Sequence, residues 1–190
     1  MGITNLSLAR INRYLQPGNK ILIIGCQNLY SADNYDQVAA PYFRELGYEV
    51  KDIDLTGCQG SETADLREDL HFADIYDVVT DFGSKEHIDG SLFTPFKNIH
   101  EACKIDGVMI HENPATGSWP GHGRHYFTEQ FYTDLAEAAG YEVLELTTEA
   151  AMGNTTDGWN ISCVLKKSIG QGFISEGLFD DIYQRNIKQA

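Results

Sequence analysis

The residues best equipped for chemistry crowd into one stretch, Glu112-Asn113-Pro114-Ala115-Thr116-Gly117-Ser118-Trp119-Pro120-Gly121-His122-Gly123-Arg124-His125-Tyr126. An imidazole titrates near neutral pH and serves as a general base. Trp119 can wall a pocket or stack on a flat substrate, while Glu112, His125 and Tyr126 offer polar contacts to it. His122 is the preferred base, because Gly121 and Gly123 let the backbone bring it close to a ligand. His87, beside Glu86, is the second candidate, and His111, at the end of the preceding apolar run, is the third. Each of these histidines also has an ordinary reading as a hydrogen-bonding group. His111, Glu112, His122 and His125 have metal-ligating side chains, but their spacing matches no metal signature and no metal is expected.

A stretch this long and polar needs a rigid element to aim it. Val108-Met109-Ile110-His111 supplies a strand directly ahead of it, and three earlier apolar runs read the same way. The run Lys20-Ile21-Leu22-Ile23-Ile24 follows the turn signal Pro17-Gly18-Asn19 and ends on Gly25, as a strand buried on both faces of a parallel sheet does. Residues 48–54 end on Asp54, and residues 76–82 form the central strand. In an open α/β sheet the ligand crevice lies beyond the carboxyl ends of the strands. The loop starting at Gly25 is therefore the first place to look, and Asp54 is placed to accept both ribose hydroxyls of an adenosine.

Helical spacing recurs between the strands. Leu8, Ile11 and Leu15 mark an N-terminal helix, and Tyr35, Val38, Ala39, Tyr42 and Leu46 mark a second, with N-cap residues at 31–34. Pro41 kinks that helix or starts it. Thr94-Pro95 caps a third over Phe96, Ile99 and Cys103, residues 127–139 form a fourth that closes at Gly140, and residues 178–187 form the last. Strands at 141–146 and 159–166 are joined through Gly153-Asn154 and Asp157-Gly158, turn signals that suit an antiparallel pair. The order implies one α/β domain over residues 1–190: a doubly wound, Rossmann-like, mostly parallel sheet with an antiparallel edge strand and helices on both faces. Residues 1–18 are its N-terminal helix and 168–190 its C-terminal extension.

Composition narrows the partners. Against 28 acidic side chains stand 14 basic ones, a formal charge of -14 that repels a phosphate backbone, so no nucleic acid is expected and a small molecule is. No apolar run approaches the roughly 20 residues that span a bilayer, so no membrane contact is expected. Cys26, Cys58, Cys103 and Cys163 are scattered without a Cys-x-x-Cys pair, which suggests reduced thiols in a cytoplasmic protein.

The order of segments over residues 20–167 resembles a class I S-adenosylmethionine-dependent methyltransferase. Asp81-Phe82-Gly83-Ser84-Lys85-Glu86-His87 and Lys104-Ile105-Asp106-Gly107-Val108-Met109-Ile110-His111 look like that family's fourth-strand and fifth-strand segments. Residues 127–143 look like its last helix and the strand after it. The resemblance implies S-adenosylmethionine as cofactor, held by Gly25 with Cys26 and Gln27, by Asp54 at the ribose, by Asp65 with Leu66 at the adenine, and by the Asp81-Phe82 strand end. One departure is visible: the family carries a Gly-x-Gly-x-Gly run where this chain has Gly25-Cys26-Gln27-Asn28-Leu29. The implied activity is methyl transfer to an oxygen or nitrogen of a small-molecule acceptor. Two other readings compete: a non-catalytic binding or assembly protein with this fold, and another nucleotide- or cofactor-dependent enzyme using the same crevice.

Overall fold

Side chains alternate across a strand, so an uninterrupted apolar run must be covered on both faces. In the computed structural model, which describes residues 2–31, 35–150 and 158–189, the run at 20–24 meets that demand. Leu22 and Ile24 pack into one core, with Phe96, Phe131 and Phe179, while Ile21 and Ile23 pack into the other, with Ile11 and Phe43.

In chain order the elements are β1 (Ile3–Thr4), α1 (Asn5–Tyr14), β2 (Lys20–Ile24), β3 (Asn28–Tyr30), β4 (Gln37–Val38), α2 (Ala39–Glu45), β5 (Glu49–Asp54) and β6 (Glu62–Thr63). There follow β7 (Tyr76–Phe82), α3 (Phe93–Ala102), β8 (Cys103–Pro114), β9 (His125–Tyr126), α4 (Glu129–Ala139), β10 (Tyr141–Ala150), β11 (Trp159–Lys167), α5 (Glu176–Asn186) and β12 (Lys188–Gln189). Seven strands form the main sheet in the order β10-β11-β8-β7-β2-β5-β6. All pairings are parallel except those of β11, which runs against both β8 and the edge strand β10. Helices α3, α4 and α5 cover one face, and α1 and α2 the other. Among the described residues, no helix is long and apolar enough to cross a membrane.

Several local expectations are corrected. Helix α2 begins at Ala39, so Pro41 falls in its first turn, where a missing N–H costs little. The stretch before it pairs as β3 and β4. Ala32, Asp33 and Asn34 of the expected N-cap, and Gly153, Asn154 and Asp157 of the expected turn, lie outside the described residues. Helix α3 starts at Phe93, which puts Pro95 third in the helix and leaves Thr94 inside the first turn; Cys103 already belongs to β8.

The cysteine reading is corrected too. Cys26 and Cys58 form a disulfide with Cα atoms 6.0 Å apart, while Cys103 and Cys163 are free and buried, as expected. The pairing is invisible in linear spacing because the sheet creates it. Ile24 is in register with Ile53 on the adjacent strand, so the loops that follow carry the two cysteines side by side. The unpaired-thiol ground for a cytoplasmic setting now covers only Cys103 and Cys163.

His100 on α3 yields a pH prediction. It is buried, its Nε2–H donates to the Gln171 carbonyl at 3.0 Å, and Tyr141 O–H lies 2.7 Å from its Nδ1. Burial, helped by the Lys167 charge, lowers its pKa from 6.5 to about 4. Between those values the unfolded chain binds the extra proton, so this contribution is complete above pH 6.5 and is lost as pH falls through 4. At roughly 1.4 kcal/mol per pH unit the loss by pH 4.5 amounts to about 3 kcal/mol. Urea denaturation is expected to show that decline, and His100→Gln to flatten it.

Candidate functional site

Chain order reverses across the sheet between β2 and β7, since β2 leads to β5 on one side and to β7 on the other. A crevice opens at such a switch point. Here it is a cavity of about 400 Å³, within the usual size of small-molecule sites. Gly25, Cys26, Gln27, Asp54, Asp65 and Leu66 all line it, as does His87. Three separate segments of the chain, expected to act together, thus line one cavity.

Gly25 turns the chain at φ +82°, a conformation that side chains disfavour, and an added Cβ would overlap the Ser84 hydroxyl. Its N–H donates to the Ile53 carbonyl at 2.8 Å, tying the first loop to β5. The side chains that replace the usual glycines are folded away. Gln27 is 5% exposed and donates to the carbonyls of Ile24 (3.2 Å) and Phe82 (3.1 Å). Cys26 is held by its disulfide.

Asp54 accepts from the Cys26 N–H at 3.1 Å and, through its other oxygen, from the Thr56 N–H (2.8 Å) and hydroxyl (2.6 Å). Partial burial alone would raise its pKa; the bonds from Thr56, Cys26 and Cys58 outweigh that and lower it. Asp65 is clasped by Arg67, whose guanidinium bonds hold the carboxyl below its ordinary range.

Other expected residues do not reach the cavity. The Asp81 carboxylate is fully buried and bonds the Lys85 ammonium; burial opposes its ionisation, but the adjacent Lys85 charge and His111 keep it ionised. Phe82 is core, 1% exposed. His111 is 1% exposed, with Nδ1 3.0 Å from Lys85 Nζ, and burial with that neighbouring charge lowers its pKa to about 4. It therefore does not face the crevice as a base would. Glu112 lies against α1, accepting from Ser7 Oγ (2.6 Å) and Asn160 Nδ2 (3.2 Å), with burial raising its pKa. His125 is buried between Tyr183 O–H and the Ile88 carbonyl, the latter 2.7 Å from Nε2. Tyr126 donates to the Trp119 carbonyl at 2.8 Å and Trp119 to Asn160 Oδ1 at 2.9 Å, so these two shape the loop.

That loop nevertheless delivers His122. Arg124 N–H donates to the Glu86 carbonyl at 2.7 Å, and a Cβ at Gly123 would sit 3.0 Å from Glu86 Cγ, so the loop rests on the turn Lys85–His87. His122 and His87 then face each other with ring centres 5.0 Å apart. Both approach Glu86, a fully buried carboxylate that sequence reasoning noted only as the neighbour of His87. The available signal was a carboxylate next to a histidine just past a strand end.

No family model matches the chain, and no curated protein matches it by sequence. Solved structures do resemble it. The 1,6-didemethyltoxoflavin-N1-methyltransferase of Burkholderia thailandensis, solved with 1,6-didemethyltoxoflavin and S-adenosylhomocysteine, superposes with a TM-score of 0.64 at 18% identity over 87% of this chain and 78% of that one. A SAM-dependent methyltransferase of Methanosarcina mazei gives 0.60 at 12% identity, over 85% of this chain and 98% of that one. The [4+2]-cyclase SpnF gives 0.60 at 13%, over 85% and 80%. With its seven-stranded sheet, the single reversed strand beside the edge and the crevice at the switch point, the chain has the fold of the class I S-adenosylmethionine-dependent methyltransferases.

Proposed function

We propose that the protein binds S-adenosylmethionine in the cavity between Gly25, Asp54 and Leu66 and transfers its methyl group to an oxygen or nitrogen of a small molecule. The observation that carries this reading is the meeting of three separate segments, the Gly25 loop, Asp54 and Asp65-Leu66, around one cavity. Their chemistry suits the cofactor. Asp54 offers a carboxylate to a ribose diol, Ile24, Leu55, Leu66 and Ile88 offer apolar surface to a purine, and the acidic lining favours a cation. When bound, the cofactor supplies a methyl group on an electrophilic sulfonium. What remains for the chain is to align the acceptor, exclude water and receive a proton where the acceptor is a hydroxyl. His87, on the cavity wall, and His122 beside it are the groups placed for the last task.

Calorimetric titration with S-adenosylmethionine tests the reading. Binding is expected for the native protein, and Asp54→Ala is expected to weaken it roughly ten- to a hundredfold, the worth of a hydrogen bond to a charged group. No heat at millimolar cofactor would sink the proposal. Thr56 sharpens the test, because its hydroxyl and N–H both occupy the Asp54 oxygen that a ribose hydroxyl would use. Thr56→Val keeps the N–H bond and frees one acceptor position, so it is expected to bind the cofactor severalfold more tightly. The cyclase among the structural relatives favours one other reading, a different reaction in the same crevice. Release of S-adenosylhomocysteine in the presence of acceptor distinguishes the two.

A further inference from the structure

We propose that Glu86, His87 and His122 form a site for one divalent transition cation of the zinc class at the edge of the cavity. Each residue offers one ligand atom, and these atoms lie within 4.8 Å of one another. Glu86 Oε1 is 3.7 Å from His87 Nε2 and 3.8 Å from His122 Nε2. Ligands held at about 2.0–2.2 Å around a tetrahedral ion stand roughly 3.3–3.5 Å apart, so the two carboxylate–imidazole separations need a few tenths of an ångström of contraction, and the His87–His122 pair, within 4.8 Å, needs up to about 1.5 Å, which rotation of two partly exposed side chains supplies.

Satisfaction of the buried groups points the same way. Glu86 is 0% exposed, and its Oε1 has no hydrogen-bond partner; His122 Nε2 is shielded from water and also has none. Burying an acceptor and a ring nitrogen face to face without a bond forfeits the hydration of both. A bare cation between them repairs both losses at once. The other Glu86 oxygen is already fixed: Asn113 Nδ2 donates to Oε2 at 3.3 Å, and Tyr132 O–H holds Asn113 Oδ1 at 2.6 Å. Such outer contacts hold a ligating carboxylate in place. The loop contacts of Gly123 and Arg124 with Glu86 bring His122 to the same carboxylate oxygen as His87.

Two imidazoles and one carboxylate suit zinc, iron, cobalt or nickel better than magnesium or calcium, and three protein ligands leave a coordination position open. His87 lines the cavity, which places that position toward the bound ligand. Resting on the methyl-transfer reading above, the inference narrows the acceptor to a molecule that presents an oxygen donor to the ion; with the ion bound, the two imidazoles are its ligands and no longer the proton acceptors they are in the metal-free site.

The test is metal binding by the whole chain, without cofactor. Protein stripped with chelator is expected to retain one equivalent of Zn2+ after dialysis and to give a visible Co2+ spectrum, with no competition from Mg2+. His87→Ala and His122→Ala are each expected to weaken Zn2+ binding tenfold or more. Both side chains are partly exposed, so these variants should fold, which a melting curve verifies. His71→Ala, at the exposed His71–Asp69 pair, is expected to change nothing. Absence of stoichiometric Zn2+, wild-type affinity in either site variant, or loss of binding in His71→Ala would overturn the proposal. A silent cofactor titration beside normal Zn2+ binding would instead defeat only the methyl-transfer reading.

Discussion

Replacing Lys85 with methionine is expected to destabilise the protein by about 3–5 kcal/mol, the usual cost of stranding one partner of a buried ion pair. Lys85 and Asp81 are both 0% exposed and four residues apart, Asp81 near the end of β7 and Lys85 in the turn that follows it. The ammonium also reaches His111 Nδ1 and lies 4.5 Å from the centre of the Phe96 ring. Without it, Asp81 Oδ1 keeps no hydrogen bond, and Oδ2 retains Asn113 Nδ2 at 3.4 Å and the His111 ring, whose Nδ1 lies 3.6 Å away. The double variant Lys85→Met/Asp81→Leu removes both charges and is expected to recover most of the loss, because apolar replacements of buried pairs are often neutral. Urea denaturation of the three proteins measures this. A single variant within about 0.5 kcal/mol of native would show that the pair does not hold the turn carrying Glu86 and His87.

The second large effect belongs to the disulfide. Cys26 and Cys58 are 32 residues apart, and closing a loop of that length restricts the unfolded chain by about 3–4 kcal/mol. Cys58→Ser, or reductant on the native protein, is expected to lower stability by that order and to leave Cys58→Ser insensitive to reductant. Because Cys26 lines the cavity and its N–H holds Asp54, ligand affinity is expected to fall as well. Unchanged denaturation midpoints with and without reductant would mean that the bond contributes nothing.

What the sequence revealed and what it hid divide along physical lines. Strands β2 and β7 and helix α4 announce themselves because their signals are local: an apolar run, or apolar residues at helical spacing ending on the left-handed Gly140. Gly25 and Asp54 were legible for the same reason, as strand ends that the topology must bring to one crevice. Long-range pairing was not. Nothing near His111 says that Lys85 will bury against it, and nothing near His125 announces Tyr183. Both histidines looked free for chemistry and are consumed by structure. Glu86 is the converse case, named from sequence only as the neighbour of His87 and buried once the returning loop covers it. The departure from the family's glycine run leaves the cavity open, because Gln27 folds inward and Cys26 is tied to Cys58.

The central claim is that Gly25, Asp54 and Leu66 frame an S-adenosyl site. A crystal soaked with S-adenosylhomocysteine tests it most directly. The expected result is ligand density in this cavity, with the ribose hydroxyls on Asp54 in place of the Thr56 hydroxyl and the sulfur on the side of His87. Density elsewhere, or an empty cavity at saturating ligand, would contradict it.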